Sequence, residues 1–202
     1  MAYRRTPAVQ QRLDAQRQAI AAAAVALLTE RGYQGLSISA VAERAGIATG
    51  SLYRHYADKS ELMVSIFRDL CGREVDAVTS AAANGTAATR VGAVVETFAY
   101  RALRNPTLAY ALLAEPVDAA LDAERLVLRR AFAGAFADAI RYGITTGEFP
   151  PQDADLAAAA LVGAVGEVLT GPLQSGTLHA GPTPPETVPA LVALSLRALG
   201  AQ

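Results

Sequence analysis

At 202 residues, 52% of them apolar and 18% charged, the chain has the hydrophobic content of a folded protein and too few charges for a disordered one. The formal net charge of −1 speaks against nucleic acid as a partner until it is divided: residues 1–60 carry eight Lys or Arg against four Asp or Glu (+4), and residues 61–202 carry ten against fifteen (−5). Cys71 is the only cysteine, which excludes an intramolecular disulfide and a Cys-based zinc site and leaves a buried, inert thiol as the expectation. Alanine is abundant, tryptophan is absent, and no alternating Val/Ile/Thr run marks a strand, so the expected class is all-α. No apolar segment precedes Asp14, and the apolar run over 157–165 is too short to span a bilayer, so a cytoplasmic protein without a membrane partner is expected.

Residues 1–9 are polar and contain Pro7, predicting a loose arm. Its Arg4 and Arg5, with Arg12, could reach phosphate or a minor groove, or form a solvated tail. A first helix is predicted over 13–31, with Ile20, Ala24, Leu27 and Leu28 inward and Gly32 as its stop. Ser37 is placed to cap a second helix carrying Ile38, Val41, Ala42 and Ala45, which Gly46 ends. A third begins near Thr49 and carries Leu52, Tyr53 and Tyr56 at helical spacing. Asp58 followed three residues later by Glu61 is a capping box for a fourth. Helix, glycine turn, helix is the geometry that sets a second helix in the DNA major groove. The hydroxyls, cations and small residues there suit phosphate and base contacts: Ser37, Thr49, Gly50, Ser51, Tyr53, Arg54, His55 and Lys59, the only lysine. An ordinary three-helix subdomain with a solvated face would carry the same periodicity.

The fourth helix, predicted from Ser60 to about 83, is long enough to run from this head into the rest of the chain, with Asn84-Gly85 as its end. Further helices are predicted over 87–104, 107–114, 117–145 (Leu121, Leu128, Phe132, Phe136 and Ile140 inward), from Asp153 or Asp155 to 169, and over 185–199, with a loop at 171–186. The sixth and seventh predicted segments are separated by Pro116, and Gly147 to Pro151 form a firm boundary. The last two helices are unusual. One has little bulk (Ala157 to Ala160, Gly163, Ala164, Gly166), and the other is apolar around most of its circumference (Val188, Leu191, Val192, Leu194, Leu196, Leu199). Both properties fit an interface with the same pair from a second subunit, or a helix buried within its own body.

The segment 21–67 resembles the DNA-binding domain of the TetR family of bacterial transcription regulators. The resemblance lies in Glu30-Arg31-Gly32-Tyr33, Gly35-Leu36-Ser37-Ile38, Val41-Ala42-Glu43-Arg44-Ala45-Gly46, Gly50-Ser51-Leu52-Tyr53-Arg54-His55-Tyr56 and Asp58-Lys59-Ser60-Glu61-Leu62. Ala48 departs from the family's usual serine, leaving Thr49 as the expected cap of the recognition helix, and Ser37 replaces the commoner threonine. The resemblance implies a helix-turn-helix domain at 10–60 joined by a continuous helix to an effector-binding and dimerisation domain at 61–202. It also implies a homodimer paired through the last two helices, double-stranded DNA with a pseudo-palindromic operator as partner, and a small, largely apolar effector in the second domain, most often with a repressor's role. Candidate effector residues are Phe98, Tyr100, Leu103, Tyr110, Phe132, Phe136 and Glu167, each aromatic or aliphatic one equally at home in a plain core. Glu167, flanked by Val165, Gly166, Val168 and Leu169, needs a partner, either across the dimer or on the effector, with Arg101 and Arg104 as available counter-charges.

Catalytic constellations fail. There is no Gly-x-Ser-x-Gly elbow and no phosphate loop, Gly163-x-x-Gly166 follows no strand, and His55 and His179 lie too far apart in the pattern to share a metal. No enzyme, cofactor or metal is expected. The competing reading is a helical small-molecule-binding protein or enzyme without sequence-specific DNA binding.

Overall fold

The computed structural model describes residues 7–173 and 186–201. Arg4, Arg5, His179 and most of the expected 171–186 loop lie outside them. Nine helices and no strand are present among the described residues: α1 (Pro7–Arg31), α2 (Ile38–Arg44), α3 (Thr49–Leu52), α4 (Lys59–Ala81), α5 (Ala87–Arg104), α6 (Pro106–Leu113), α7 (Ala119–Thr146), α8 (Ala154–Leu173) and α9 (Thr187–Ala198). Local chemistry accounts for most of the boundaries. Ser37 accepts from Ala40 N, Asp58 from Glu61 N, Thr86 from Thr89 N and Asp118 from Leu121 N, each meeting an otherwise unpaired first-turn donor. The box at Asp58 is one residue wider than expected, because Glu61 Oε2 accepts from Ala57 N at 2.6 Å.

Gly46, at φ +67°, closes α2 as a Schellman motif in which Ile47 N reaches Ala42 O and Gly46 N reaches Glu43 O. At α8 it is Asp153 that caps, accepting from Asp155 N and Leu156 N at 3.0 Å each.

Three expectations are corrected. α1 begins at Pro7, inside the region expected to be a loose arm, where proline fits a first turn whose N–H has no helical acceptor. Thr49 is not a cap: Ala48 holds the cap position without a side-chain bond, and Thr49 is the first helical residue. α8 does not stop at 169 but runs through Pro172 to Leu173. At 20 residues it is, by length and composition alone, long and apolar enough to cross a membrane, where the sequence suggested a run too short to do so.

α1, α2 and α3 close over the first half of α4, burying Ile20, Leu27, Leu28, Val41, Leu52, Leu62, Ile66 and Phe67. The rest of α4 packs on α5 and α7, so one helix serves both cores without a linker. In the body, α7 lies against α8 and α4, and α5 against α9. All five residues expected inward on α7 are buried. Arg68 to Glu124 (2.9 Å through Nε) ties α4 to α7, and Arg101 to Glu74 ties α5 to α4.

Candidate nucleic-acid interface and effector cavity

Leu52 and Tyr56 point into the head's core, and helical spacing therefore turns Tyr53 and Arg54 outward. Tyr53 stands 53% exposed. Thr49, Gly50 and Ser37 are exposed beside it, and nothing lies within 4 Å of a Cβ built on Gly50. Arg54 Nη2 donates to Ser51 Oγ at 2.6 Å, which fixes the guanidinium along the short helix. His55 is half-buried, with Nε2 at 3.2 Å from Gln16 Oε1 of α1. Burial, then the charges of Arg17 and Arg54, lower its pKa below the ordinary imidazole value, so it is neutral at pH 7.

Lys59 is placed differently from the other candidates. Its Nζ donates to Tyr33 O at 3.1 Å and lies 4.0 Å from the centroid of the Tyr33 ring, so the amine is engaged inside the head.

Around Tyr33 the head is fastened to the body. Glu115, 7% exposed in the α6–α7 corner, accepts from Tyr33 N at 2.7 Å and Gln34 N at 2.9 Å. Asp118 accepts from Tyr33 Oη at 2.6 Å and Ser60 Oγ at 3.1 Å. Those bonds, the tyrosine's first, hold the Asp118 carboxyl below its usual pKa, while burial and then Asp118 push Tyr33 up to about 12. Gly32 is required at this contact: its φ is +67°, and a Cβ would stand 2.8 Å from Glu115 Oε2. Arg125 of α7, buried, donates to the carbonyls of Ala111, Leu112 and Glu115 at 2.6–2.9 Å, supplying the end of α6 with the donors it lacks. Nothing in the local sequence announces the bonds from Tyr33 and Gln34 to Glu115 and Asp118, since those partners lie 81 to 85 residues apart.

In the body, α5, α7 and α8, with Leu113 at the end of α6, border a cavity of about 440 Å³, within the range of small-molecule sites. Phe98, Phe132, Phe136 and Glu167 border it, as do Val94, Leu126, Arg129, Arg130, Val162 and Thr170, which sequence reasoning missed. Tyr100 is 53% exposed, and neither it nor Leu103 nor Tyr110 borders the cavity. Glu167 is exposed, because its apolar sequence neighbours Val165 and Leu169 turn to the opposite side of α8. Arg101 is not its counter-charge, being paired with Glu74. Arg129 and Arg130 are exposed at the cavity's edge. Gly163 and Gly166, expected at a helix crossing between subunits, also border the cavity. Among the described residues no cluster of His, Cys, Asp or Glu is arranged for a metal.

Residues 20–66 match the family model described as bacterial regulatory proteins, tetR family. Over 101 residues the chain is 38% identical to the HTH-type transcriptional repressor KstR of Mycolicibacterium smegmatis, covering 48% of each. It thus spans about half the length of that relative. It is also similar to the fatty acid metabolism regulator protein of Bacillus subtilis, 32% identical over 54 residues, 27% of this chain and 28% of that one. Among solved structures, a TetR transcription regulator from Haloarcula marismortui superposes with a TM-score of 0.76 at 20% identity, covering 92% of this chain and 96% of that one. FadR of Bacillus subtilis, solved in complex with stearoyl-CoA, superposes at 0.70 and 21% identity, over 91% and 95%. At these identities the superpositions establish the fold.

Proposed function

We propose that this chain, whose residues 20–66 match the family model described as bacterial regulatory proteins, tetR family, is a homodimeric transcriptional repressor of the cytoplasm, released from a pseudo-palindromic operator by a small, largely apolar effector. The observation that carries the DNA-binding part is Tyr53: a large aromatic ring half in solvent, directly beside the buried Leu52, on a turn rimmed by Thr49, Gly50 and Arg54. Thr49 and Arg54 would meet base edges, and Ser37, Gly50, Ser51, Tyr53 and His55 would position the backbone. Lys59 would act through Tyr33, holding the α1–α2 turn. Two such heads would enter successive major grooves about 34 Å apart.

The domain division at 10–60 and 61–202 is supported by the change of packing partners along α4. The dimer is supported by Leu156 (70% exposed) and Val168 on α8 and Leu194 on α9 (both 43%), apolar side chains left in solvent beside Ala160 and Gly163. Glu167 lies on the same helix, at the border of the cavity.

The effector would occupy the cavity between α5, α7 and α8. That FadR has been solved with an acyl thioester supports a ligand with a long apolar part. Release requires that the effector bind better to a conformer whose heads are wrongly spaced. A gel shift with the promoter DNA beside the protein's own gene, against a random duplex, tests the reading. A retarded band on the promoter at salt that abolishes the random complex is expected. Equal retardation of both, or of neither, would favour a helical ligand-binding protein without sequence-specific DNA binding.

A further inference from the structure

A second cavity, of about 60 Å³, lies beside the first. It is large enough for only a water or two at about 30 Å³ each, so it is no independent site. Four side chains, Phe98, Leu113, Leu128 and Phe132, line both cavities. Phe98 and Phe132 meet edge to face between them, their ring centroids 4.9 Å apart and their planes at 72°. The two spaces differ in what lies to either side of the rings: α8 borders only the larger and α4 only the smaller. No α4 residue lines the larger one, whereas the smaller is bordered by Cys71 and Glu74 of α4 and by Leu108, Ala109 and Leu112 of α6. α4 enters the head, and α6 packs on α1 and ends at the Glu115 contact.

The chemistry along this path changes in order. At the edge of the larger cavity stand Arg129 and Arg130, exposed and without an ion-pair partner among the described residues. Glu167 and Thr170 of α8 also border this cavity, and the rest of its lining is aliphatic and aromatic. Beyond the two rings, the Cys71 thiol is held neutral by burial, its pKa pushed up to about 12, and Glu74 is neutralised by Arg101. With Arg101 already bonded to Glu74, the rest of that lining, apart from Asn105, is apolar or uncharged, which suits the end of an apolar chain.

We propose that Phe98 and Phe132 form a partition which a long apolar chain displaces, so that the effector is an anionic amphiphile whose chain length decides whether it reaches the seam between α4 and α6. This rests on the effector reading above. A short chain fills the larger cavity and touches α5, α7, α8 and Leu113 at the end of α6. A long chain passes the rings and wedges between the two helices that hold the head. Binding and release of DNA are thereby separate properties, set by different parts of one ligand.

Saturated straight-chain carboxylates of increasing length are the probes, titrated calorimetrically into the full chain and followed by hydrogen exchange. Affinity should rise about threefold to fourfold per buried methylene. Short members should alter exchange in α5, α7, α8 and the end of α6 at Leu113, and long members should also alter it around Cys71 in α4. Ala109→Leu fills the smaller cavity from α6, and Cys71→Met fills it from α4. Each should weaken the long members roughly tenfold or more, abolish the α4 response, and leave the short members within about twofold. Long chains that bind both variants as they bind the parent, or that never alter α4, would overturn the partition. So would a series in which only short members bind. If no member binds the parent at all, the effector cavity itself falls, and the partition with it.

Discussion

Tyr53 and Cys71 illustrate opposite uses of a single side chain. Tyr53 keeps its ring in solvent, a position with no packing reward inside the protomer, so its removal costs the fold little. Tyr53→Ala should melt within about 1–2 °C of the parent, yet weaken binding to operator and random duplex alike, because phosphate contacts are blind to sequence. Thr49 or Arg54 substitutions should instead change which bases are preferred, by roughly 1–3 kcal/mol per lost contact. Competition binding against a library of single-base operator variants distinguishes the two patterns. A Tyr53→Ala protein with unaltered affinity for both duplexes would place the docking face elsewhere. Cys71 is buried, and its thiol is pushed up to about 12, chiefly by burial. It should resist iodoacetamide at pH 8 in the native state and react at once in denaturant, as mass spectrometry of the alkylated peptide would report.

Among the elements, the contact between the α1–α2 turn and the α6–α7 corner is the hydrogen-bonded tie of the head to the body. Glu115 serves two backbone donors at once, and Gln offers a single acceptor oxygen. Glu115→Gln leaves one buried N–H facing another donor, a loss of about 1–3 kcal/mol, which for a chain of this size lowers the melting temperature by roughly 2–12 °C. Amides of Tyr33 and Gln34 should exchange faster than in the parent, and unchanged protection there would mean that the contact is not holding the head.

Asp118 adds a pH dependence of defined sign. Its folded pKa is held below 3.8, so its contribution is complete above the unfolded value and is lost as pH falls through the folded one. Asp118→Asn should therefore be less stable at neutral pH and lose less between pH 5 and 2, measured by urea melts across that range. The helices themselves were legible because their ends are written locally, in Ser37, Asp58, Gly46, Gly147 and Asp153. The exposure of Tyr53 and Arg54 was legible too, from the spacing of Leu52 and Tyr56. The Glu115 contact and the arginines at the cavity edge were not, since a buried carboxylate and its backbone donors some eighty residues away share no period. Glu167 misled for the same reason in reverse: apolar neighbours in sequence lie about 100° apart around a helix, and need not surround the residue between them.

For the assembly, the outward row Leu156, Ala160, Gly163 and Glu167 on α8 is the surface to test. Ala160 is exposed and does not border the cavity, so Ala160→Arg should leave the protomer's stability within about 0.5 kcal/mol. It should nonetheless convert a dimer to a monomer in sedimentation and reduce operator affinity, because a lone head has half the contacts. A parent protein that sediments as a monomer at micromolar concentration would remove the interface from consideration.

The engagement of Lys59 with Tyr33 has a consequence for proteolysis. Because this is the sequence's only lysine, an endoprotease specific for lysine has one peptide bond to cut, the one after the first residue of α4. Cleavage there parts residues 1–59 from 60–202, and so α1, α2 and α3 from the rest. The side chain the protease must grip is held by a carbonyl and an aromatic face, and the bond it must cut lies in a capped first turn. Digestion rate is thus a clock for how often the head lifts away from α4. It can be read on a gel, with no DNA, no label and no knowledge of the ligand.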